Sequence, residues 1–361
     1  MALNCGIVGI SGSGKTTLFN SLSKSKAATG QGLGKTNLGQ IEVPDPRLDA
    51  IAAIVKPAKV TPTTVEIIDI PGMVKGGSKV KGGNQFLSEI RQTDAIIHVL
   101  RCFDDDTVPH IEGSVNPGRD KEIIDLELIT KDYETVEKKL QRLDKVARVG
   151  DKDAKEGVTV LSGLLEHLEN GEPARSFSIS DADSKYIEDC FLLTVKPVIY
   201  VCNVNEASAE KGNHHVEKVR PQIEQEGSEM LIIAAKAEAE IAELDSEEDR
   251  QAFLEDMGLD EPGVNKLIRA AYNTLKLQTF FTFGPKEVRA WTIREGTPAP
   301  KAAGVIHSDM ERGFIRAEVM RHEDFLELGS EHACKQAGKF SIEGKNYIVK
   351  DGDIFHVRFN V

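Results

Sequence analysis

At 361 residues the chain is long enough for two or three domains, and its 40% hydrophobic and 29% charged residues indicate a globular protein and exclude a disordered one. Its five cysteines are odd in number and never spaced as a pair two apart, which argues against a disulfide framework and a zinc site. The net charge of −13 disfavours loose association with nucleic acid, and no apolar run approaches the roughly 18 residues that a membrane span requires.

Short apolar runs alternate with helical stretches along most of the chain. The helical stretches include residues 16–24 and 84–91. Such an alternation is typical of a doubly wound α/β fold with a parallel sheet. The predicted buried strands are residues 7–10, 65–70, 95–100, 198–202 and 231–235.

A glycine-rich loop lies between the first predicted strand and the first predicted helix. Residues 9–16 read Gly-Ile-Ser-Gly-Ser-Gly-Lys-Thr, which is the spacing of a P-loop. Its glycines let several backbone N–H groups point at one phosphate, Lys15 reaches the β and γ phosphate oxygens, and the Thr16 hydroxyl ligates magnesium. The predicted nucleotide-binding residues here are Gly9, Ser11, Gly12, Ser13, Gly14, Lys15, Thr16 and Thr17.

An acidic residue at a strand end supplies the second element that a magnesium-dependent triphosphatase needs. The chain reads Asp-Ile-Pro-Gly at residues 69–72. We expect Asp69 to hold the metal through water and the amide of Gly72 to contact the γ-phosphate, so Gly72 joins Lys15 as a predicted catalytic residue. Further glycine pairs follow, and they predict either a mobile nucleotide-sensing switch or a plain flexible loop after Gly72.

A long helical pattern interrupts the α/β alternation. Two apolar stripes with spacings of four and three residues are separated by the breaker sequence Val-Gly-Asp at residues 149–151. They predict an antiparallel coiled-coil hairpin, or alternatively two helices that pack on the sheet. The stripe residues are Ile129, Tyr133, Val136, Leu140, Leu143 and Ala147, then Ala154, Val158, Leu161, Leu165 and Leu168.

Base recognition is expected at the ends of two later strands, where GTPases carry Asn-Lys-x-Asp and then Ser-Ala-Lys. The predicted nucleotide-binding residues at these places are Asn203, Val204, Asn205 and Glu206, followed by Ala234, Ala235 and Lys236. The longer Glu206 side chain cannot reach the two guanine donors of an aspartate without shifting. Guanine preference is therefore weakened, and adenine becomes a candidate base.

From residue 278 the pattern changes to short strands with glycine- and proline-marked turns, which predicts a small β-rich α+β unit. This section carries 12 basic and 12 acidic residues and four of the nine histidines. It is the part expected to approach RNA, and a neutral domain without that role is the alternative. The predicted strands begin at 280–283 and continue at 288–293, 314–319, 347–349 and 355–359.

With these elements in this order, the chain resembles the YchF or Obg-like ATPases, a ribosome-associated family of translation-factor-related P-loop proteins. Besides the altered base motif, the resemblance includes Val-Pro-Asp-Pro-Arg-Leu at 43–48, Gly-Gly-Asn-Gln-Phe-Leu at 82–87, Arg-Cys-Phe-Asp-Asp-Asp at 101–106 and Glu-Gly-Ser-Val-Asn-Pro at 112–117. It implies a P-loop nucleotide-binding domain at 1–125 and 190–277, an inserted coiled-coil hairpin at 126–189 and a C-terminal TGS domain at 278–361.

The resemblance also implies an activity and partners. These are hydrolysis of ATP in preference to GTP with magnesium, association with the ribosome through its large subunit, and RNA contact through the coiled coil and the TGS domain. Thr36 becomes the switch threonine that ligates magnesium alongside Thr16, and His110 becomes a catalytic candidate that orients the attacking water, with a solvated loop histidine as the alternative. Met73 replaces the water-orienting glutamine of related GTPases, so we expect slow turnover.

The P-loop departs from the family pattern at two positions. The family reads Gly-Leu-Pro-Asn-Val-Gly-Lys-Ser, so Ser11 and Gly12 stand where proline and asparagine are expected. Because that asparagine supports a monovalent cation, a potassium requirement has to be measured for this chain.

Three hypotheses of function follow. The first is a cytoplasmic, monomeric ATPase switch whose nucleotide state reorders the segment after Gly72 and controls docking to the ribosome. The second is a GTPase of the Obg type. The third is an adaptor that binds nucleotide for stability and turns over negligibly.

Overall fold

The structure, a computed structural model, describes residues 4–23, 36–72 and 83–360 and divides into two compact units. The first unit consists of Met1–Gly39 and Glu66–Leu267. The second consists of Gln40–Val65 and Ile268–Val361.

The described residues form twelve β-strands. They are β1 (Asn4–Val8), β2 (Asn37–Glu42), β3 (Lys59–Thr61), β4 (Thr64–Asp69), β5 (Ala95–Arg101), β6 (Val198–Asn203), β7 (Glu229–Ile233), β8 (Leu277–Phe283), β9 (Glu287–Arg294), β10 (Phe314–Arg321), β11 (Ser341–Glu343) and β12 (Asp353–Phe359).

The described residues also form thirteen α-helices. They are α1 (Lys15–Ser23), α2 (Pro46–Val55), α3 (Gly83–Arg91), α4 (Pro117–Ala147), α5 (Lys152–Glu169), α6 (His214–Gln225), α7 (Ala235–Glu243), α8 (Glu247–Asp256), α9 (Gly263–Thr274), α10 (Ala299–Ile306), α11 (Ser308–Arg312), α12 (His322–Leu328) and α13 (Glu331–Gln336). Within this described part of the chain, no helix combines the length and the apolar character that crossing a bilayer demands.

The first unit is built on a six-stranded sheet in the order β2-β4-β1-β5-β6-β7, counted over the described residues. β1 is parallel to both β4 and β5, β5 to β6, and β6 to β7, which confirms the predicted α/β fold. Every residue of β5 and β6 is buried, because helices cover both faces of the sheet, and this is why these strands are continuous apolar runs. The carboxyl ends of the parallel strands meet at one edge, where ligands bind in such sheets.

Helices α4 and α5 form a hairpin that is inserted in the sequence between β5 and β6. The apolar stripes form their own core, distinct from the core of the sheet. The irregular segment after α5 closes this core, and only the first turns of α4, with Ile124 and Leu128, pack into the sheet. The buried residues of the hairpin core are Ile129, Val136, Leu161, Leu164, Leu168, Ala174, Cys190 and Leu192.

A buried carboxylate fixes the place where the hairpin segment returns to the sheet. Asp132 of α4 accepts hydrogen bonds from the amides of Leu193 (2.8 Å) and Thr194 (2.7 Å) and from the Thr194 hydroxyl (2.6 Å). Burial raises the pKa of Asp132, and these three donors oppose that effect. The chain therefore enters β6 from a defined position on α4.

The second unit contains a mixed six-stranded sheet in the order β11-β10-β12-β8-β9-β3, again counted over the described residues. β8 and β9 are antiparallel, as are β10 and β12, whereas β12 is parallel to β8. The predicted strand at residues 347–349 is wrong: Ile348 makes a single bridge with Pro298 in an otherwise irregular stretch. Its neighbour Val349 is buried in the core, which explains its strand-like apolar character.

The sequence-based division is corrected for residues 40–65, which we placed in the nucleotide-binding domain. β3 pairs in parallel with β9 of the second unit. Leu48 and Ile51 of α2 are buried in one cluster with Phe281 and Phe325. This segment therefore completes the core of the second unit.

A cluster of charged groups lies between α4, the end of α6 and β6. Lys121 contacts Asp125 at 2.6 Å and also pairs with Glu226. The Tyr200 hydroxyl donates to Glu226 at 3.0 Å, and Arg175 contacts the same oxygen at 3.1 Å. Each charge is thus offset by a partner, as buried ionic groups require.

His98 of β5 lies beside this cluster, with its ring centroid 5.4 Å from that of Tyr200. Burial lowers the pKa of its imidazole to about 3, and the charge of Lys121 adds to this effect. The unfolded chain binds this proton at about pH 6.5, so acid favours unfolding between that pH and the lower value. We expect this group alone to reduce the free energy of unfolding by up to about 1.4 kcal/mol per pH unit in that window.

Urea unfolding at a series of pH values, for the wild type and for His98→Gln, measures this effect. As the pH falls, the free energy of unfolding of His98→Gln should decrease less steeply than that of the wild type, by up to about 1.4 kcal/mol per pH unit. The exposed His332→Gln control should keep the wild-type slope. Parallel curves for wild type and His98→Gln would show that His98 titrates normally in the folded protein.

Candidate nucleotide-binding site

The P-loop leaves the end of β1 and enters α1 at the carboxyl edge of the first sheet. Lys15 is the first residue of α1, and its ammonium donates to the carbonyl of Ile10 at 2.8 Å. Burial lowers the pKa of Lys15 to about 8, while the nearby Asp69 opposes this shift. The ammonium thus lies in a poorly solvated loop where an anion such as a phosphate is strongly attracted.

Asn203, the last residue of β6, ties the P-loop to the loop after β7. Its amide nitrogen donates to the carbonyl of Ser13 at 2.9 Å, and its amide oxygen accepts from the amide of Ala235 at 3.1 Å. Gly14 has a φ of +94°, and a Cβ there would overlap the Asn203 amide nitrogen, so glycine is needed on both counts. The structure gives Asn203 a positioning role, and its predicted contact with the base stays a prediction.

A carboxylate, a hydroxyl and an amide meet at the end of β4. Oδ2 of Asp69 accepts from the Thr16 hydroxyl at 2.9 Å and from the Asn37 amide at 3.2 Å. Burial raises the pKa of Asp69, and these two hydrogen bonds and Lys15 oppose the rise. Asn37 was missed by the sequence analysis, although it directly follows the predicted ligand Thr36.

Among the described residues, Oδ1 of Asp69 finds no hydrogen-bond partner, and neither does the buried hydroxyl of Thr36, which directly precedes Asn37. Leaving a buried polar atom unpaired costs about 1–3 kcal/mol, which a bound cation offsets. A carboxylate and two hydroxyls are hard oxygen donors of the kind that Mg²⁺ prefers. The three residues predicted from the sequence, Thr16, Thr36 and Asp69, therefore fit a magnesium ion.

Gly72 lies directly against the P-loop. A Cβ at this position would come within 2.6 Å of the Lys15 ammonium and 3.2 Å of the Ser11 amide nitrogen. The backbone of Gly72 is therefore close to the group that reaches the phosphates, as its predicted role requires. Met73 and the glycines at 76, 77 and 82 lie outside the described residues, whereas Gly83 begins α3.

The loop after β5 is held over the P-loop by Arg101. The guanidinium of this buried residue donates to the carbonyls of Phe103 (3.2 Å), Asp105 (3.1 Å) and Val108 (2.8 Å). A Cβ at Gly12 would lie 3.4 Å from Cγ1 of Val108, so the two loops are in close proximity. In the sequence, Arg101 is distinguished only as part of a family segment, and this role was not predicted.

The side chain of His110 is only 4% exposed, which contradicts the alternative interpretation of a solvated loop histidine. Its Nδ1 accepts from the amide of Glu112 at 3.1 Å, and its Nε2 lies 2.9 Å from a carboxylate oxygen of Asp120. These partners assign the proton to Nε2, which donates to Asp120. Because both ring nitrogens are engaged, orienting a water molecule requires the ring to leave Asp120.

The predicted base-recognition residues lie where β6 and β7 end. Val204 is buried, and its amide donates to the carbonyl of Ile233 at 3.0 Å. Asn205, Glu206 and Lys236 are exposed at the same edge of the sheet. Their side chains are accessible to a base, whereas the buried Ala234 and Ala235 supply backbone.

Comparisons with known proteins agree with this arrangement. A family model described as a 50S ribosome-binding GTPase matches residues 4–146, and a YchF-GTPase C-terminal model, described as a protein of unknown function, matches residues 277–360. Relatives named ribosome-binding ATPase YchF occur in Haemophilus ducreyi, 49% identical over 365 residues, and in Bacillus subtilis, 48% identical over 367 residues. Each alignment covers 100% of this chain and 100% of the relative.

A solved structure described as the Schizosaccharomyces pombe YchF GTPase superposes with a TM-score of 0.89 at 35% identity, covering 99% of this chain and 98% of that one. The sheet order, the P-loop and the carboxylate at the end of β4 define a P-loop nucleotide-binding protein of the GTPase type. Within that class, the chain belongs to the YchF family.

Proposed function

We propose that this protein is a magnesium-dependent ATPase switch that hydrolyses ATP slowly, in preference to GTP, and associates with the ribosome. The observation that carries the proposal is the joint placement of Lys15, Thr16 and Asp69, with one carboxylate oxygen left unpartnered in a buried position. The names of the full-length relatives support ATP as the substrate and the ribosome as the partner.

Each group of the site has a distinct task in this proposal. The P-loop amides and Lys15 bind the phosphates, and the Gly72 amide contacts the γ-phosphate. Thr16, Thr36 and Asp69 hold Mg²⁺, which when bound neutralises charge on the β and γ phosphate oxygens. Because Met73 follows Gly72 in place of a glutamine, water is poorly oriented and turnover is slow.

Discrimination between bases is assigned to the exposed Glu206. A glutamate at this position does not offer guanine the pair of hydrogen bonds that an aspartate offers from a shorter stem. The exposed Lys236 is assigned to the loop that closes over the base. Adenine is therefore the preferred base.

The ribosome-facing surfaces are assigned to the hairpin of α4 and α5, as a coiled coil, and to the second unit, as a TGS domain. The hairpin has a core of its own, so it can extend from the sheet without losing stability. The C-terminal section is formally neutral, unlike the chain as a whole, which reduces its repulsion from RNA. We assign the contact to the large subunit and the protein itself to a monomer.

Two alternatives have specific support. The descriptions of one family model and of the Schizosaccharomyces pombe structure favour a GTPase. The methionine after Gly72 favours an adaptor whose turnover is negligible.

Phosphate release from ATP in the presence of Mg²⁺, with and without purified ribosomes, tests the proposal. We expect slow hydrolysis by the protein alone, acceleration by ribosomes, and loss of both when Mg²⁺ is chelated. Hydrolysis that stays at background with ribosomes and Mg²⁺ present would contradict the ATPase proposal and support the adaptor.

A further inference from the structure

Three potential metal ligands meet outside the nucleotide site: Asp104 in the loop after β5, and His214 and His215 at the start of α6. One ligand atom from each residue lies within 4.8 Å of the other two. Neither the magnesium ligands nor the predicted base contacts include any of these residues. Their joint placement therefore asks for an explanation of its own.

The spacing is close to that of a coordinated ion. Tetrahedral Zn²⁺ with bonds of about 2.0 Å places neighbouring ligand atoms roughly 3.3 Å apart. Nε2 of His215 lies 3.0 Å and 3.2 Å from the two carboxylate oxygens of Asp104, and the two imidazole centroids are 3.9 Å apart. Since the three ligand atoms lie within 4.8 Å of one another, rotations about side-chain bonds can bring them to the spacing of a coordinated ion.

The three side chains differ in exposure in a way that suits metal capture. The side chain of His215 is only 8% exposed, whereas that of Asp104 is 71% exposed, and His214 is exposed as well. One ligand is thus fixed by packing, and two can adjust to the ion from the solvent side. Entry of a hydrated ion requires no opening of the fold.

Both segments that carry the ligands are anchored by side chains that hydrogen-bond to their backbone. Asn213 caps α6 by accepting from the amide of His215 at 3.0 Å, and its own amide donates to the carbonyl of Cys102 at 2.7 Å. Arg101 holds the loop that contains Asp104. These hydrogen bonds fix the backbone at the ligand positions, as a metal site requires.

We propose that Asp104, His214 and His215 bind a first-row transition-metal dication, with Zn²⁺ as the probe ion. Two imidazoles and one carboxylate favour Zn²⁺ over Mg²⁺ and Ca²⁺, which prefer oxygen ligands, and a water molecule completes the coordination. The ion joins the loop after β5 to α6. Because Val108 of the same loop lies close to Gly12, metal binding stiffens the cover of the P-loop and alters nucleotide affinity.

The test uses the untagged full-length chain, stripped of metal with a chelator and kept free of nucleotide. A calorimetric titration with Zn²⁺ should show one tight site that excess Mg²⁺ does not occupy. Asp104→Asn and His214→Gln should each weaken Zn²⁺ binding by at least about tenfold, because each removes one ligand. His356→Gln, which removes an exposed histidine of the second unit, should leave binding unchanged.

A second readout is the visible absorption of Co²⁺ bound in place of Zn²⁺, which reports the ligand geometry and should disappear in both ligand variants. Both substitutions are at exposed side chains, so circular dichroism should show the wild-type fold. Absence of Zn²⁺ binding, or equal binding by the wild type and both variants, would overturn the proposal and leave His215 and Asp104 as a simple hydrogen-bonded pair.

Discussion

Replacing Lys15 with methionine is expected to reduce the rate of ATP hydrolysis by about 10²–10³-fold, the usual effect of removing one charge that stabilises the transition state. The ammonium is buried between the carbonyl of Ile10 and the carboxylate of Asp69. No other lysine lies in residues 9–16, so the loop would keep its backbone amides and lose its charge. ATP affinity should fall as well, because the amides alone bind the phosphates.

The substitution should not unfold the protein, which makes its effect interpretable. Burial of the ammonium opposes its charge, as the lowered pKa of Lys15 shows, and a methionine of similar length fills the same space without that cost. Lys211→Met, at a side chain that is 83% exposed, is the matched control and should keep wild-type activity. Wild-type turnover by Lys15→Met, measured as phosphate release, would show that the P-loop is not the site of hydrolysis.

Replacing Asn203 with alanine is expected to lower the free energy of unfolding by about 2–4 kcal/mol, because it leaves two buried backbone groups without partners. These are the carbonyl of Ser13 and the amide of Ala235, which the asparagine side chain connects. Losing this tie also frees the P-loop from the strand beside it. Nucleotide affinity should therefore fall more than the loss of one base contact explains.

Asn205→Ala is the control for this prediction, since Asn205 is exposed two residues further along the same strand end. Its unfolding free energy, measured by urea titration, should stay within about 0.5 kcal/mol of the wild type. If Asn203→Ala is equally stable, the hydrogen bonds seen in the structure do not hold the P-loop in solution.

The sheet of the first unit could be predicted because its strands are buried on both faces. β5 and β6 are buried along their whole length, so each is recognisable in the sequence as a run of consecutive apolar residues. The edge strand β2 alternates between partly or fully buried and exposed positions and carries little such signal, and it was missed. Residues 40–65 were assigned to the wrong unit because the elements they pair with, such as β9 for β3, are distant in the chain.

The site residues show the same difference between local sequence signals and long-range contacts. Lys15, Thr16 and Asp69 could be predicted because the P-loop motif and the strand end each fix a side chain at the same edge of the sheet. The roles of Arg101 and Asn203 depend on which backbone groups they reach, and that of Asn37 depends on its contact with the Asp69 carboxylate. Sequence spacing records neither. His215 and Asp104 are 111 residues apart, so their proximity left no local pattern to read.

Equilibrium titration with labelled ATP and GTP in Mg²⁺, for the wild type and for Glu206→Asp, tests the central claim most directly. The account predicts that the wild type binds ATP more tightly than GTP, by about tenfold if the difference equals one net hydrogen bond. It also predicts that Glu206→Asp shifts the preference toward GTP. Tighter binding of GTP by the wild type, with no change in Glu206→Asp, would contradict the account and identify the protein as a GTPase.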